Sequence, residues 1–147
     1  MGRCAMCDEP HSRPEITAAL ARGVTRVLHD HGLSSLLEVP LANGRRADVM
    51  GLTANGEIWI VETKSCVEDF AVDQKWPDYM DYCDRFFFGI TAMFPRELIS
   101  EEAGLIVADG FGGALLREGP LRPLAGARRK AVTLAFAHLA AARLAGG

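Results

Sequence analysis

Residues 46–64, with the sequence RADVMGLTANGEIWIVETK, contain two apolar runs that flank the tripeptide Ala54-Asn55-Gly56. An Asn-Gly pair between alternating hydrophobic residues is the strongest short-range signal for a β-hairpin. Each run also has about the length of an ordinary strand. The segment therefore predicts two antiparallel strands, and the other elements are placed around this hairpin.

The register of the hairpin decides which polar side chains meet. A two-residue turn would place Asp48 opposite Thr63, whereas a three-residue turn ending in a left-handed Gly56 would place Asp48 opposite Glu62. We favour the longer turn because glycine adopts a positive φ at little cost. Asp48, Glu62 and Lys64 then lie at the end of one otherwise apolar face. Opposed residues have Cβ atoms about 4.5–5.5 Å apart, close enough to share a metal ion.

Two carboxylates at that distance repel each other unless a proton or a cation lies between them. Mg²⁺, or Mn²⁺ in its place, prefers oxygen ligands and often uses only one or two carboxylates plus substrate phosphate. Lys64 beside such an ion would orient or deprotonate a water, or stabilise charge on phosphorus. The pattern predicts metal-assisted hydrolysis of a phosphodiester bond. The alternative is a solvated acid–lysine pair at a strand end, without chemistry.

Helical and strand patterns extend outward from the hairpin in both directions. One predicted helix begins at Ser12 and ends before Gly32. A second begins after Ser65, and Pro77 is expected to break or restart it near Trp76. Further strands are predicted at 37–41, 85–90, 105–108 and 114–117, and a last helix at 127–145. The order predicts an α/β fold, with a mixed sheet and a central antiparallel hairpin flanked by helices. We expect a single domain over residues 12–147, preceded by a loose arm, residues 1–11.

Composition limits the class of protein. The chain has 147 residues, 49% hydrophobic and 24% charged, which is typical of one globular domain. No apolar run is long enough to span a membrane and no signal peptide is evident, so we expect a cytoplasmic protein. The four cysteines predict reduced thiols. Cys4 and Cys7 with His11 leave zinc binding at the N-terminal arm as an alternative.

Charge is unevenly distributed along the chain. The net charge of −3 argues against a basic protein that coats DNA irrespective of sequence. The segment Glu57–Asp84 has eight acids and two lysines, whereas no acid follows Glu118. Trp76 is the best exposed candidate for stacking on a base. The candidate phosphate contacts are basic side chains near Asp48 and at the start of the last helix: Arg45, Arg46, Arg128, Arg129 and Lys130.

Several longer stretches resemble the PD-(D/E)XK nuclease superfamily and, more narrowly, the MmcB family of bacterial DNA-repair proteins. They are ANGRRADV at 42–49, EIWIVETKS at 57–65, KWPDY at 75–79, DYCDR at 81–85 and FPRELI at 94–99. The resemblance extends over residues 15–145. It implies a restriction-endonuclease-like αβββαβ core, a divalent metal, and cleavage of DNA that leaves a 5′ phosphate.

The resemblance also implies roles for single residues. Asp48 and Glu62 become metal ligands, Lys64 the catalytic lysine, and the backbone carbonyl of Thr63 a further ligand. Many members have another glutamate on the first helix. The candidates for that role here are Glu15 near the start of the helix and Glu38 on the first strand, and we prefer Glu38. Relatives of the exonuclease type have a Gln-x-x-x-Tyr motif that contacts the substrate. In this sequence Gln74 lies five residues before Tyr79, and Lys75 occupies the position four residues before it, so both Gln74 and Lys75 are candidate phosphate contacts.

Two functions of different classes follow from this sequence. The first is a metal-dependent DNA nuclease that acts in bacterial DNA repair, with DNA and other repair proteins as partners. The second is a catalytically silent DNA-binding or scaffold module with the same fold. An intact set of Asp48, Glu62 and Lys64 favours the first, and the modest charge favours the second. Homo-oligomer formation is left open.

Overall fold

The structure, a computed structural model, describes residues 13–72 and 76–146. The elements in chain order are helix α1 (Arg13–Asp30), strands β1 (Ser34–Pro40), β2 (Arg46–Leu52) and β3 (Ile58–Lys64), helix α2 (Val67–Val72), a 3₁₀ helix (Trp76–Tyr82), β4 (Arg85–Ile90), a second 3₁₀ helix (Arg96–Leu98), β5 (Gly104–Ala108), β6 (Gly113–Arg117) and helix α3 (Gly126–Gly146). Every predicted helix and strand is present within a few residues. The predicted arm, the Cys4–Cys7–His11 group, Gln74 and Lys75 lie outside the described residues.

The six strands form one sheet in which each strand neighbours its predecessor in the chain. Strands β1, β2 and β3 are antiparallel, β3, β4 and β5 are parallel, and β6 is antiparallel to β5. The predicted mixed α/β class is therefore confirmed. Because β3, β4 and β5 are parallel, their carboxyl ends lie at one edge of the sheet.

Helices cover both faces of the sheet. Helix α1 packs Leu20, Val24 and Leu28 on one face, and α3 packs Val132 and Phe136 on the other, together with the first 3₁₀ helix. Burial of these apolar side chains is the main favourable term that holds the layers together. Within the described ranges, no helix is both long and apolar enough to cross a membrane.

The hairpin adopts the three-residue turn. Met50 pairs with Ile60 and Leu52 with Ile58, which is the register that sets Asp48 opposite Glu62. Gly56 has a φ of 89°, and its N–H donates to the carbonyl of Thr53 at 3.0 Å. The left-handed glycine at the end of the turn therefore sets the register, as predicted.

Asp84, at the start of β4, joins segments that are distant in the chain. Its buried carboxylate accepts hydrogen bonds from the N–H groups of Ile58 and Leu124 and from both terminal nitrogens of the Arg129 guanidinium. Burial raises the pKa of Asp84, but the bonds from Arg129 and the two N–H groups outweigh it, so the pKa is lowered. We call this group the Asp84 latch. Arg129 points into the protein here, so its prediction as a phosphate contact is wrong.

Candidate active site

The ladder between β2 and β3 opens at the end that carries the acidic residues. Regular pairing stops at Val49 and Val61, and side chains make the next hydrogen bonds. The N–H of Asp48 donates to Oε1 of Glu62 at 2.9 Å. The N–H and the hydroxyl of Thr63 donate to Oδ2 of Asp48, at 2.8 and 3.0 Å. Asp48 and Glu62 therefore meet at this point, each bound to the other strand.

The Asp48 side chain leaves the face on which the sequence places it. Ala47 and Met50 both pack in the α3-side core while Val49 packs on the α1 side, so the alternation of β2 is broken at Asp48. Pairing of β1 with β2 is also interrupted there, and Glu38 opposite has a φ of 50°. The register prediction is confirmed, but the prediction of one shared face is wrong. The cause is local, because the Asp48 carboxylate bonds to the backbone of β3 and competes with the ladder.

Glu62 has the most perturbed carboxyl of this group. Its side chain is 4% exposed, and burial, followed by the charge of Asp48, raises its pKa from 4.5 to about 8. The hydrogen bond from Asp48, the charge of Lys64 and a hydrogen bond from Tyr79 act in the opposite direction without cancelling the rise. Glu62 is therefore protonated at neutral pH unless a cation takes the place of the proton.

Lys64 ends β3, two residues beyond Glu62, and is 9% exposed. Its charge is close enough to Glu62 to lower the pKa of that carboxyl. The structure thus brings the three predicted catalytic residues together. It buries Glu62 and Lys64 while leaving Asp48 half-exposed.

A cleft of about 570 Å³ lies on the α1 side of Asp48. Asp48, Thr63, Glu38, Thr17 and Arg22 are among its lining residues. Glu38 thus lies in the same cleft as Asp48, although its side chain is largely exposed and lies 3.9 Å from Arg46, and its role as a metal ligand stays a prediction. Sequence reasoning missed Arg22 and Thr17, whose only signal is their place outside the apolar stripe of the first helix.

The donor set suits a hard divalent ion without forming a complete cage. Among residues 13–72 and 76–146, no group of three His, Cys, Asp or Glu side chains could hold a metal. Oδ1 of Asp48 accepts no hydrogen bond from the described residues. The neighbouring Glu62 carboxyl has a raised pKa, so a cation could replace its proton. Mg²⁺ often takes one or two carboxylates and completes its shell with waters and phosphate. Asp48 and Thr63 line the α1-side cleft, whereas the Glu62 carboxyl is not among the lining residues and would have to reach such an ion across the hairpin.

Of the remaining predicted cations, Arg45 and Arg46 lie near Asp48. Arg45 pairs with Asp78 at 3.4 Å, and the side chain of Arg46 is 66% exposed. Arg128 and Lys130 lie at the start of α3, where the neighbouring Arg129 donates to the Gly56 carbonyl in the turn at the other end of the hairpin. Arg128 donates to the Asp81 carbonyl and lies over the ring of Tyr82, 4.6 Å from its centre, and Lys130 is exposed.

Trp76 is half-buried against the sheet. Its ring stacks on Phe86 with centres 5.5 Å apart and meets Phe88 edge-on at 5.6 Å. The prediction that Trp76 is an exposed side chain is therefore wrong, and its stacking on a base stays a prediction. The indole is large enough to fill the gap between the 3₁₀ helix and the sheet, and its burial there is favourable.

Comparisons with known proteins identify the family. A search of curated proteins finds no match. The chain is similar to a solved structure from Silicibacter pomeroyi, the SPO1766 protein of unknown function, with a TM-score of 0.84 and 43% identity over 92% of this chain and 91% of that one. The model of the family described as DNA repair protein MmcB-like matches residues 6–146. The chain therefore belongs to the MmcB-like family of DNA repair proteins.

Proposed function

We propose that this protein is a metal-dependent nuclease that hydrolyses phosphodiester bonds of DNA during repair, with a restriction-endonuclease-like core of the PD-(D/E)XK type. The observation that carries the proposal is the meeting of Asp48 with Glu62 at the open end of the hairpin, beside Lys64. The order of a helix, three strands, a helix and a parallel strand supports the same core. Membership of a DNA repair family supports DNA as the substrate.

Mg²⁺ or Mn²⁺ would be held by Asp48, Glu62 and the backbone carbonyl of Thr63. When bound, it would supply Lewis-acid activation of the phosphate and of water. Thr63 fixes the Asp48 carboxylate through two hydrogen bonds, which leaves Oδ1 directed away from them. On metal binding, Glu62 would release its proton to solvent, and the resulting carboxylate would neutralise part of the charge of the ion.

Lys64 would act on the phosphate or on the attacking water. Its ammonium group would orient the water by hydrogen bonding, or stabilise the negative charge that develops on the phosphoryl oxygens. Arg22 and Arg46 would position the DNA backbone on either side of the cleft, because phosphate contacts orient DNA without specifying sequence.

The test is conversion of supercoiled plasmid to nicked or linear DNA, with and without Mg²⁺. We expect cleavage by the wild type only with the metal, and a loss of at least about a hundredfold in Lys64→Ala and Asp48→Asn. Asp30→Asn is a matched control, because Asp30 is an exposed acid at the other end of α1. The melting temperature of each variant establishes that it is folded. Equal cutting by the wild type and both variants would contradict the site.

The burial of Glu62 and Lys64 favours a second candidate function, a catalytically silent DNA-binding module. A silent module needs no path from solvent to Lys64, whereas an enzyme needs the open end of the hairpin to admit a phosphate. If neither plasmid nor oligonucleotide is cut, but the wild type and Lys64→Ala bind DNA equally, this second function is the correct one.

A further inference from the structure

The turn between β5 and β6 presents the most exposed large apolar side chain of the described residues. The side chain of Phe111 is 91% exposed. The turn beneath it is held by Asp109, whose Oδ1 accepts the N–H groups of Phe111 at 2.8 Å and Gly112 at 3.1 Å. The N–H of Asp109 donates to the Gly112 carbonyl at 2.8 Å. Phe111 is therefore displayed in water by a well-bonded turn, a position that burial alone does not explain.

Two arginines of α1 flank this turn. A Cβ atom at Gly110 would lie 3.7 Å from Nη2 of Arg22, and one at Gly112 would lie 3.8 Å from Cγ of Arg26. Both arginines are exposed, and neither forms an ion pair or a hydrogen bond with the described part of the chain. The surface thus combines one aromatic ring with two arginines that have no ion-pair partner, next to the single carboxylate of Asp109 in the turn, which leaves a net positive charge.

A cavity of about 330 Å³ lies beside the turn, at the carboxyl ends of β4 and β5. Its lining is largely apolar and includes Ile16, Ala19, Met93 and Thr91. The Thr91 hydroxyl is buried and has no hydrogen-bond partner among the described residues. In open α/β sheets, ligands bind in crevices outside the carboxyl ends of the strands. The cavity is lined by Asp109, Gly110 and Gly112 of the same turn, although Phe111 itself is not among its lining residues.

We propose that Phe111, Arg22 and Arg26 bind an unpaired stretch of DNA, with a base stacked on the Phe111 ring and the neighbouring phosphates on the two arginines. The inference rests on the proposed function and extends it by naming the form of the substrate. Aromatic rings stack on any splayed base, and arginines neutralise the phosphates between bases. Arg22 also lines the cleft that contains Asp48, so a strand on Phe111 would reach that cleft.

Charge and geometry favour a nucleic acid over a protein partner at this surface. Arginines beside an aromatic ring are the usual composition of a groove for single strands. Base pairs inside a regular duplex are not free to stack on an outside ring, so the ring adds affinity only where a base is splayed out. The proposed ligand is therefore single-stranded DNA, or a duplex with a frayed or flapped end.

The test compares binding to a single-stranded oligonucleotide of about twenty nucleotides and to a duplex of the same length, without Mg²⁺, by fluorescence anisotropy. Phe111→Ala should weaken single-strand binding by about five- to fiftyfold and change duplex binding less than about twofold. Leu144→Ala, which removes another exposed apolar side chain, 84% exposed on α3, is the matched control and should bind like the wild type. Arg22→Gln/Arg26→Gln removes two proposed phosphate contacts and should lower the slope of log K against log[salt] for single-strand binding by about 1.4, at about 0.7 for each contact.

Stacking itself is measured with a 2-aminopurine base in the oligonucleotide, whose fluorescence falls when the base stacks. Quenching by the wild type that is lost in Phe111→Ala supports the proposal. The proposal would be overturned if Phe111→Ala bound single strands with wild-type affinity, if it lost affinity equally for both forms of DNA, or if the wild type did not bind. Wild-type affinity in Phe111→Ala would instead favour a protein partner for this surface. If the wild type does not cleave plasmid but Phe111→Ala selectively loses single-strand affinity, the proposed nuclease activity is refuted and this inference stands.

Discussion

The buried carboxyl of Glu62 predicts an unusual dependence of stability on pH. Its pKa is about 8 in the folded protein and 4.5 when exposed, so folding favours the protonated form. The stabilisation is complete below about pH 4.5 and is lost as the pH rises through 8. Linkage between these two pKa values lowers the free energy of unfolding by about 4 kcal/mol between pH 5 and pH 9, because each pKa unit of difference corresponds to about 1.4 kcal/mol.

Glu62→Gln removes this ionisation while keeping an oxygen that accepts the N–H of Asp48. The measurement is urea denaturation of both proteins at pH 5, 7 and 9 without divalent ions. We expect the variant to gain about 4 kcal/mol relative to the wild type between pH 5 and pH 9, because only the wild type must bury a carboxylate. Other titrating groups contribute equally to both proteins and cancel in the difference.

Glu101→Gln is the control, because Glu101 is an exposed acid that loses the same charge without a change in burial. Its stability should follow that of the wild type at every pH. A difference between the wild type and Glu62→Gln that stays constant from pH 5 to pH 9 would refute the reasoning, since it would mean that Glu62 is ionised in both states or in neither.

Three further changes test the packing and the turns of the fold. Arg129→Met should cost about 3–5 kcal/mol in urea denaturation, because it leaves the buried Asp84 charge unpaired, while Lys130→Met should change stability by less than about 0.5 kcal/mol. Gly23→Ala should lower the free energy of unfolding by about 1–3 kcal/mol or more, since its Cβ would lie 1.8 Å from a backbone oxygen of the turn after β5. Gly56→Ala should cost about 1–3 kcal/mol at a φ of 89°, and a calorimetric melting temperature equal to that of the wild type would contradict the left-handed turn.

The sequence predicts most of the architecture because its local signals agree with the fold. The turn glycine at 56 and the alternating strands on both sides carry enough information to set the register of β2 and β3. Gly32, with a φ of 83°, likewise ends α1 where the pattern predicts. In these places a single backbone preference decides the structure, so no knowledge of distant residues is needed.

The orientation of side chains at the site depends on tertiary contacts and could not be predicted. Asp48 turns to the α1 side because Thr63 offers two donors there, and alternation along a strand contains no such information. Arg129 resembles any cation at a helix start until Asp84, 45 residues earlier, is known to be buried beside it. Trp76 is half-buried only because Phe86 and Phe88 lie beneath its ring.

The sheet is laid down in chain order, and this has a consequence for synthesis on the ribosome. Each strand emerges next to the neighbour that it will pair with, so the sheet is able to grow progressively without waiting for a distant partner. The carboxylate of Asp84 is the exception, because its guanidinium arrives only with the last helix. Until that helix leaves the exit tunnel, the nascent sheet contains an unmatched charge at the start of β4, and we expect the final cooperative step of folding to follow the emergence of α3 from the tunnel.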